Sequence, residues 1–165
     1  MASSLEALRA LVRDEAHAAG IHLWEASTSV LNLGAVEREL PGRKAHLYTL
    51  CAWEQGLMVA TGNSHGMVGP QSLLRPGMRL VHHEIGDGSR SLLDAWLAGL
   101  DVTVAQRQRL TGYRDEAPGH LEAAGQAAAG LADAAPGPAR RRKHWGWTSY
   151  LSRESVSIWW FQTRT

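Results

Sequence analysis

The chain has 165 residues and a mass of 18.0 kDa, which is the size of a single domain. Its 17 basic and 16 acidic residues nearly cancel and 44% of its residues are hydrophobic, which excludes collagen-like, coiled-coil and disordered chains. No apolar run reaches the roughly 20 residues of a membrane span, and the first residues lack the pattern of a signal peptide. Because the only cysteine, Cys51, has no internal disulfide partner, we expect a cytoplasmic protein.

The N-terminal half of the chain predicts one helix followed by strands. Ser3 and Glu6 match a capping box, and apolar residues then recur at helical spacing, which predicts a helix over 3–19. The next segment, 21–30, alternates as a strand does. Alternating residues on both sides of a Glu-Gln-Gly turn predict a β-hairpin over 44–61.

Two short helices are predicted over 89–115, after a glycine-rich loop and a strand over 78–85. Asp87 or Ser89 has the side chain needed to cap the first helix, and Gly99 is suited to its end. The alanine-rich segment that follows predicts a further helix, so that the whole of 89–135 is a helical insertion.

The C-terminal segment predicts two strands, 144–151 and 155–163, after a Pro/Gly/Arg-rich linker at about 136–143. The second strand is apolar on both faces, which is typical of the middle of a sheet. We therefore predict a single α+β domain over 1–165, with an antiparallel sheet, an N-terminal helix packed on one face, and the helical insertion before the two C-terminal strands.

The charge is distributed unevenly along the chain. Residues 140–165 hold six basic residues against one acidic residue, together with four of the seven tryptophans. Basic groups neutralise phosphates and aromatic rings stack on exposed bases, so this pattern favours docking to a polyanion. The residues predicted to bind are Arg140, Arg141, Arg142, Lys143, Trp145 and Trp147, with Arg107 and Arg109 as an extension of the patch.

The leading hypothesis is therefore a non-catalytic binding or regulatory protein that needs no cofactor. Its partner would be nucleic acid or, as in an inhibitor or immunity-type protein, an acidic protein surface. Three alternatives stay open for the same residues. The basic stretch could be a solvated linker beside buried tryptophans, the exposed aromatics could form a homodimer surface, and 90–114 weakly resembles a helix–turn–helix.

A competing hypothesis is a small enzyme, such as a metal-dependent hydrolase, centred on the glycine-rich loop 62–77. Imidazole and carboxylate groups that suit a transition metal occur at His65, His82, His83 and Glu84. Neighbouring residues of a strand point to opposite faces, so His82 and His83 cannot both bind one ion without a bulge. The alternative site therefore consists of His65, His82 and Glu84.

Overall fold

The computed structural model describes residues 3–24, 32–138 and 147–163, with the backbone alone over 51–53 and 147–163. The described part of the chain is a mixture of helices and one small antiparallel sheet. Its α-helices are α1 (Ser4–Val12), α2 (Leu33–Glu39), α3 (Gly88–Gly99), α4 (Val104–Arg107) and α5 (His120–Ala128), with a short 3₁₀ helix at Pro70–Leu74. Its strands are β1 (Gly20–Ile21), β2 (Ala45–Ala60), β3 (Ala135–Pro138) and β4 (Trp147–Thr163).

The sheet has the strand order β1-β4-β2-β3, and every neighbouring pair is antiparallel. Strands β2 and β4 run beside each other from the pair Ala45–Thr163 to the pair Ala60–Trp147. The C-terminal strand therefore lies inside the sheet, as its two apolar faces predict.

The predicted hairpin over 44–61 and the predicted break between the strands 144–151 and 155–163 are wrong, because each segment forms one continuous strand. Gln55 pairs with Glu154 and Gly56 pairs with Leu151, so neither predicted turn folds the chain back. A register shift between Gln55 and Gly56 absorbs the extra residues of β4 as a bulge. Strands β2 and β4 supply hydrogen-bond partners for each other's backbone N–H and C=O groups. Neither strand therefore needs a turn to satisfy these groups.

Other boundaries also differ from the sequence prediction. Helix α1 ends at Val12 instead of 19, and Asp14 then takes a positive φ of 56°. The predicted linker at 136–143 is wrong at its start, because Pro136 pairs with Leu57 in the sheet; 139–146 lie outside the described residues. The predicted strand 78–85 makes only isolated bridges, and residues 25–30 of the predicted strand 21–30 lie outside the described residues.

Helix α3 is fixed in the main hydrophobic core. Its residues Leu92, Leu93 and Leu97 are almost fully buried and cluster with Leu57 and Val59 of β2. Each leucine buried in this way contributes about 1.5–3 kcal/mol relative to an exposed one. The core therefore holds the first turn of α3 in a defined position, and that turn carries the polar residues described below.

Helix α1 packs in a second apolar cluster. Leu8 and Leu11 of α1 contact Ile21 of β1 and Val36 of α2, and Leu47 of β2 packs against the same group. This cluster holds the N-terminal end of α1, with Ser3 and Ser4, beside the segment that follows β1. None of the helices in the described residues has both the length and the hydropathy needed to cross a membrane.

Candidate functional site

A cleft of about 800 Å³ opens between the N-terminal ends of α3 and α5. Three separate stretches of chain form it: the start of α1, the turn before α3, and the loop that leads into α5. The lining residues are Ser3, His83, Glu84, Asp87, Glu116, Ala117, Pro118, Gly119, His120, Leu121 and Glu122. Its volume is in the range of small-molecule sites in proteins.

The start of α3 positions Asp87 at this cleft and packs closely against His22. Asp87 is the N-cap of the helix, and its Oδ1 accepts a hydrogen bond of 2.8 Å from the backbone N–H of Ser89. A Cβ atom at Gly88 would overlap the backbone oxygen and the imidazole ring of His22. Glycine therefore allows His22 to lie directly against the start of the helix.

Four side chains form what we call the histidine cluster: His22, His83, Asp87 and His120. Ligating atoms of His22, Asp87 and His120 all lie within 4.8 Å of one another. Nε2 of His83 lies 2.9 Å from Nδ1 of His120, and the two rings meet edge to face with centroids 4.4 Å apart. Nδ1 of His22 lies 3.3 Å from the Ser4 hydroxyl oxygen, which orients the third ring.

Burial sets the charge state of two of the imidazoles, those of His22 and His120. Burial, followed by the neighbouring His83, lowers the pKa of His120 to about 4, although Asp87 partly opposes the shift. Burial likewise lowers the pKa of His22. Both rings are therefore neutral at pH 7, and each keeps a nitrogen lone pair that can accept a proton or bind a metal ion.

The cleft carries negative charge. Its described lining includes the carboxylates of Glu84, Asp87, Glu116 and Glu122, and no lysine or arginine. Arg90, which is largely buried and does not line the cleft, reaches Glu116 at 3.9 Å. Such a lining favours cationic or hydrogen-bond-donating groups and repels anions.

A second polar group is built around Arg90 and Asp94 of α3, and we call it the Arg90 network: His82, Arg90, Asp94, Arg107 and Tyr113. Arg90 Nε donates to Asp94 at 3.0 Å, and its guanidinium lies 4.6 Å from the centre of the Tyr113 ring. Asp94 also contacts Arg107 at 3.5 Å and accepts a hydrogen bond from the Tyr113 hydroxyl.

The structure does not bring His65, His82 and Glu84 together. His82 is fully buried in the Arg90 network, where Nε2 lies 2.6 Å from the backbone oxygen of Tyr113. His65 lies 3.5 Å from Asp133 beside a separate small pocket, whereas Glu84 lines the cleft. The predicted metal-dependent site is therefore wrong as a set, although His83, which sequence analysis considered with it, does belong to the histidine cluster.

The predicted basic patch is placed only in part. Arg140 to Lys143 and Trp145 lie outside the described residues, and Trp147 begins β4. Arg107 is held inside the protein, because its Nε donates to the backbone oxygen of Val102 at 3.0 Å and Nη1 contacts Asp94. Arg109 is exposed. A binding role for these residues stays a prediction.

Sequence analysis missed His22 and His120. The separations between His22, His83 and His120 are too long to form a recognisable spacing, and only the fold brings them together. Two glycines are local signs of the site. Gly88 follows the capping Asp87 and is the residue against which His22 packs, and Gly119 directly precedes His120. A glycine beside a polar residue at a helix start is a usable sign of close approach, but it is not specific.

The chain belongs to the PBP superfamily, because the family PBP_like, described as a PBP superfamily domain, matches residues 1–146. It is also 32% identical over 148 residues to the uncharacterized protein YvgK of Bacillus subtilis. That match covers 90% of this chain and 47% of YvgK, so the chain spans about half the length of this curated relative.

Solved structures of low sequence identity share the fold. The regulatory domain of OxyR2 from Vibrio vulnificus matches with a TM-score of 0.61 and 10% identity, covering 99% of this chain and 72% of that one. The sulfate-binding protein SubI from Mycobacterium tuberculosis matches with a TM-score of 0.61 and 11% identity, covering 99% and 63%.

These comparisons overturn the predicted docking to nucleic acid or to an acidic protein. The superfamily match includes the basic stretch Arg140 to Lys143, and its structural neighbours are ligand-binding and regulatory domains. The prediction failed because a run of cations and indoles reports local composition and not where a ligand binds. The broader expectation of a binding or regulatory protein agrees with the neighbours.

Proposed function

We propose that this chain is a ligand-binding domain that holds a small molecule or ion at the histidine cluster. One observation carries the proposal: His83, Asp87 and His120 line one cleft, and His22, from a third part of the chain, has a ligating atom within 4.8 Å of those of Asp87 and His120. Convergent polar groups in a concave site are the usual mark of a binding site. SubI is named as a sulfate-binding protein and OxyR2 supplies a regulatory domain, which supports a binding role.

The arrangement also suits reversible binding. The main core fixes α3, so Asp87 and the backbone against His22 are held in place before any ligand arrives. His120 is the first residue of α5, and its contact with His83 sets the orientation of its ring. A site prepared in this way loses little side-chain entropy on binding. We include a cytoplasmic location, inferred from the single cysteine, in the same proposal.

Thermal denaturation with a ligand panel tests the proposal. The panel contains divalent metal chlorides, inorganic oxyanions, amino acids and sugars. A ligand at 100 times its Kd stabilises the folded state by about 2.7 kcal/mol, which raises the Tm by roughly 5–10 °C for a chain of this size.

The variant His120→Ala should abolish the shift caused by any ligand that binds at the cluster. The matched control is His17→Ala, which removes an exposed histidine outside the cleft and should leave the shift intact. A ligand whose shift survives His120→Ala and Asp87→Asn binds elsewhere, and that result would refute the assigned site.

A further inference from the structure

We infer that the ligand of the histidine cluster is a divalent first-row transition metal ion of the zinc type. The inference rests on the proposed function and names the chemical class of its ligand. His22, Asp87 and His120 supply two imidazoles and one carboxylate, which are the nitrogen and oxygen donors that zinc takes in proteins. Three protein ligands leave a fourth position for water or a second molecule, as in zinc sites that exchange ligands.

The spacing of the donor atoms fits one ion. Zinc–nitrogen and zinc–oxygen bonds of about 2.1 Å in a tetrahedron place neighbouring donors about 3.4 Å apart. The three donor atoms already lie within 4.8 Å of one another. Side-chain movements of about an ångström would therefore complete the coordination, with no change in the backbone that α3 and α5 provide.

Contacts outside the donor set orient the rings. His83 faces Nδ1 of His120 at 2.9 Å, and the Ser4 hydroxyl faces Nδ1 of His22 at 3.3 Å. Histidines that bind metals usually make such a contact through the second ring nitrogen, which fixes the ring and its tautomer. We therefore assign His83 and Ser4 as positioning residues for the two imidazole donors.

The charge of the cleft selects a cation over an anion. Asp87 already caps the start of α3, so the positive end of that helix is compensated by a carboxylate. Glu84, Glu116 and Glu122 add negative charge around the cluster. An oxyanion would meet these carboxylates with no lysine or arginine among the described lining residues, whereas a divalent cation would be attracted by them.

Isothermal titration of the full chain with zinc chloride tests the inference, with cobalt chloride as a spectroscopic probe. We expect one ion per chain and visible cobalt absorption bands that zinc removes by competition. The variants His120→Ala and Asp87→Asn should each weaken zinc binding at least tenfold. Asparagine keeps the cap of α3, so the second variant removes a charge without removing the helix start. His83→Ala should weaken binding by roughly 10- to 100-fold.

Two control variants distinguish coordination of zinc by the three donor atoms from attraction of the ion to negative charge or to histidines in general. Asp14→Asn makes the same exchange and removes the same charge as Asp87→Asn, but at an exposed position outside the cleft. His17→Ala removes an exposed histidine. Both should bind zinc nearly as the wild type does, and circular dichroism of every variant without metal verifies the fold.

The outcomes distinguish this inference from the function on which it rests. Equal zinc binding by all variants, or no binding by the wild type, overturns the metal assignment. If another compound then binds and His120→Ala abolishes that binding, the ligand-binding function stands without the metal. If neither metal nor any other compound depends on the cluster, both proposals are overturned.

Discussion

The histidine cluster and the Arg90 network each have an acidic residue at α3, yet their charges are compensated differently. In the Arg90 network, Asp94 contacts two arginines, at 3.0 and 3.5 Å, and the neighbouring His82 is fully buried. In the histidine cluster, Asp87 faces histidines, and no arginine or lysine of the described residues pairs with it. The first group pairs its charges within the protein, whereas we propose that a metal ion completes the second. Adjacent histidines, His82 and His83, thus serve different purposes.

The largest expected effect is the loss of stability in Arg90→Ala. This change leaves Asp94 with only Arg107 and the Tyr113 hydroxyl as partners and removes the cation that covers the Tyr113 ring. Removing one partner of a largely buried ion pair costs about 3 kcal/mol, which urea denaturation will show as a lower midpoint. Arg109→Ala, at an exposed position, is the control and should change the stability by less than about 0.5 kcal/mol. Equal losses of stability in Arg90→Ala and Arg109→Ala would show that the Arg90 network does not stabilise the fold.

Gly88→Ala tests how closely His22 approaches α3. The new Cβ would overlap the backbone oxygen of His22, and a backbone atom cannot move aside by changing a rotamer. We expect a loss of about 1–3 kcal/mol, together with weaker ligand binding because His22 shifts. Gly125→Ala is the matched control, since no atom lies within 4 Å of its new Cβ in α5, and it should gain up to about 1 kcal/mol. A harmless Gly88→Ala would contradict the described packing of His22.

Asp133 is another carboxylate that pairs with an arginine, Arg79. It tests whether such a pair stabilises the fold, as we expect for Asp94 and Arg90. Burial raises the pKa of Asp133, but hydrogen bonds and the charge of Arg79 outweigh burial and lower it below its ordinary value. The resulting stabilisation is present above the unfolded pKa of about 3.9 and is lost as the pH falls through the folded pKa.

We expect Asp133→Asn to cost about 1–2 kcal/mol at pH 7, with a cost that shrinks below about pH 4. Urea denaturation at several pH values measures this dependence. Asp14→Asn is the control, because its contact with Arg43 is exposed and should contribute about 0–0.5 kcal/mol. A cost for Asp133→Asn that does not change with pH would exclude this ion pair as its source.

The smallest expected effect is that of His120→Ala on the protein without ligand. His120 lies at the first position of α5, where alanine is a better helix former, and its recorded polar contact is with another histidine. The free energy of unfolding should therefore change by less than about 0.5 kcal/mol. A loss as large as that of Arg90→Ala, measured by the same urea titration, would make His120 a structural residue.

Local features of the fold were predictable from the sequence, whereas the pairing of distant segments was not. Asp87 caps α3 and Gly99 ends it, as the sequence predicts, because both depend on neighbouring residues alone. Ser3 accepts from the Glu6 backbone, but Glu6 itself pairs with Arg13 instead of completing the capping box. An alternating pattern is the same for one long strand and for a hairpin, so the course of β2 depended on its partner β4.

The histidine cluster was beyond sequence analysis for a related reason. Its members lie before α2, before α3 and at the start of α5, and only tertiary packing brings them within contact. The basic stretch before β4 was conspicuous in composition, whereas the cluster consists of single residues in unremarkable surroundings. The functional prediction relied on composition and therefore placed the binding site at Arg140 to Lys143 instead of at the cleft.

The account depends most on the claim that His22 and His120 bind the ligand, with His83 positioning His120, while His82 takes no part. Long-range ¹H–¹⁵N correlation spectra of the histidine rings test it directly, recorded as zinc chloride, or any other compound that raises the Tm, is added. The account predicts that the ring signals of the three cluster histidines change together and that those of His82 and His17 stay in place. Binding that leaves the three cluster rings unchanged would contradict it.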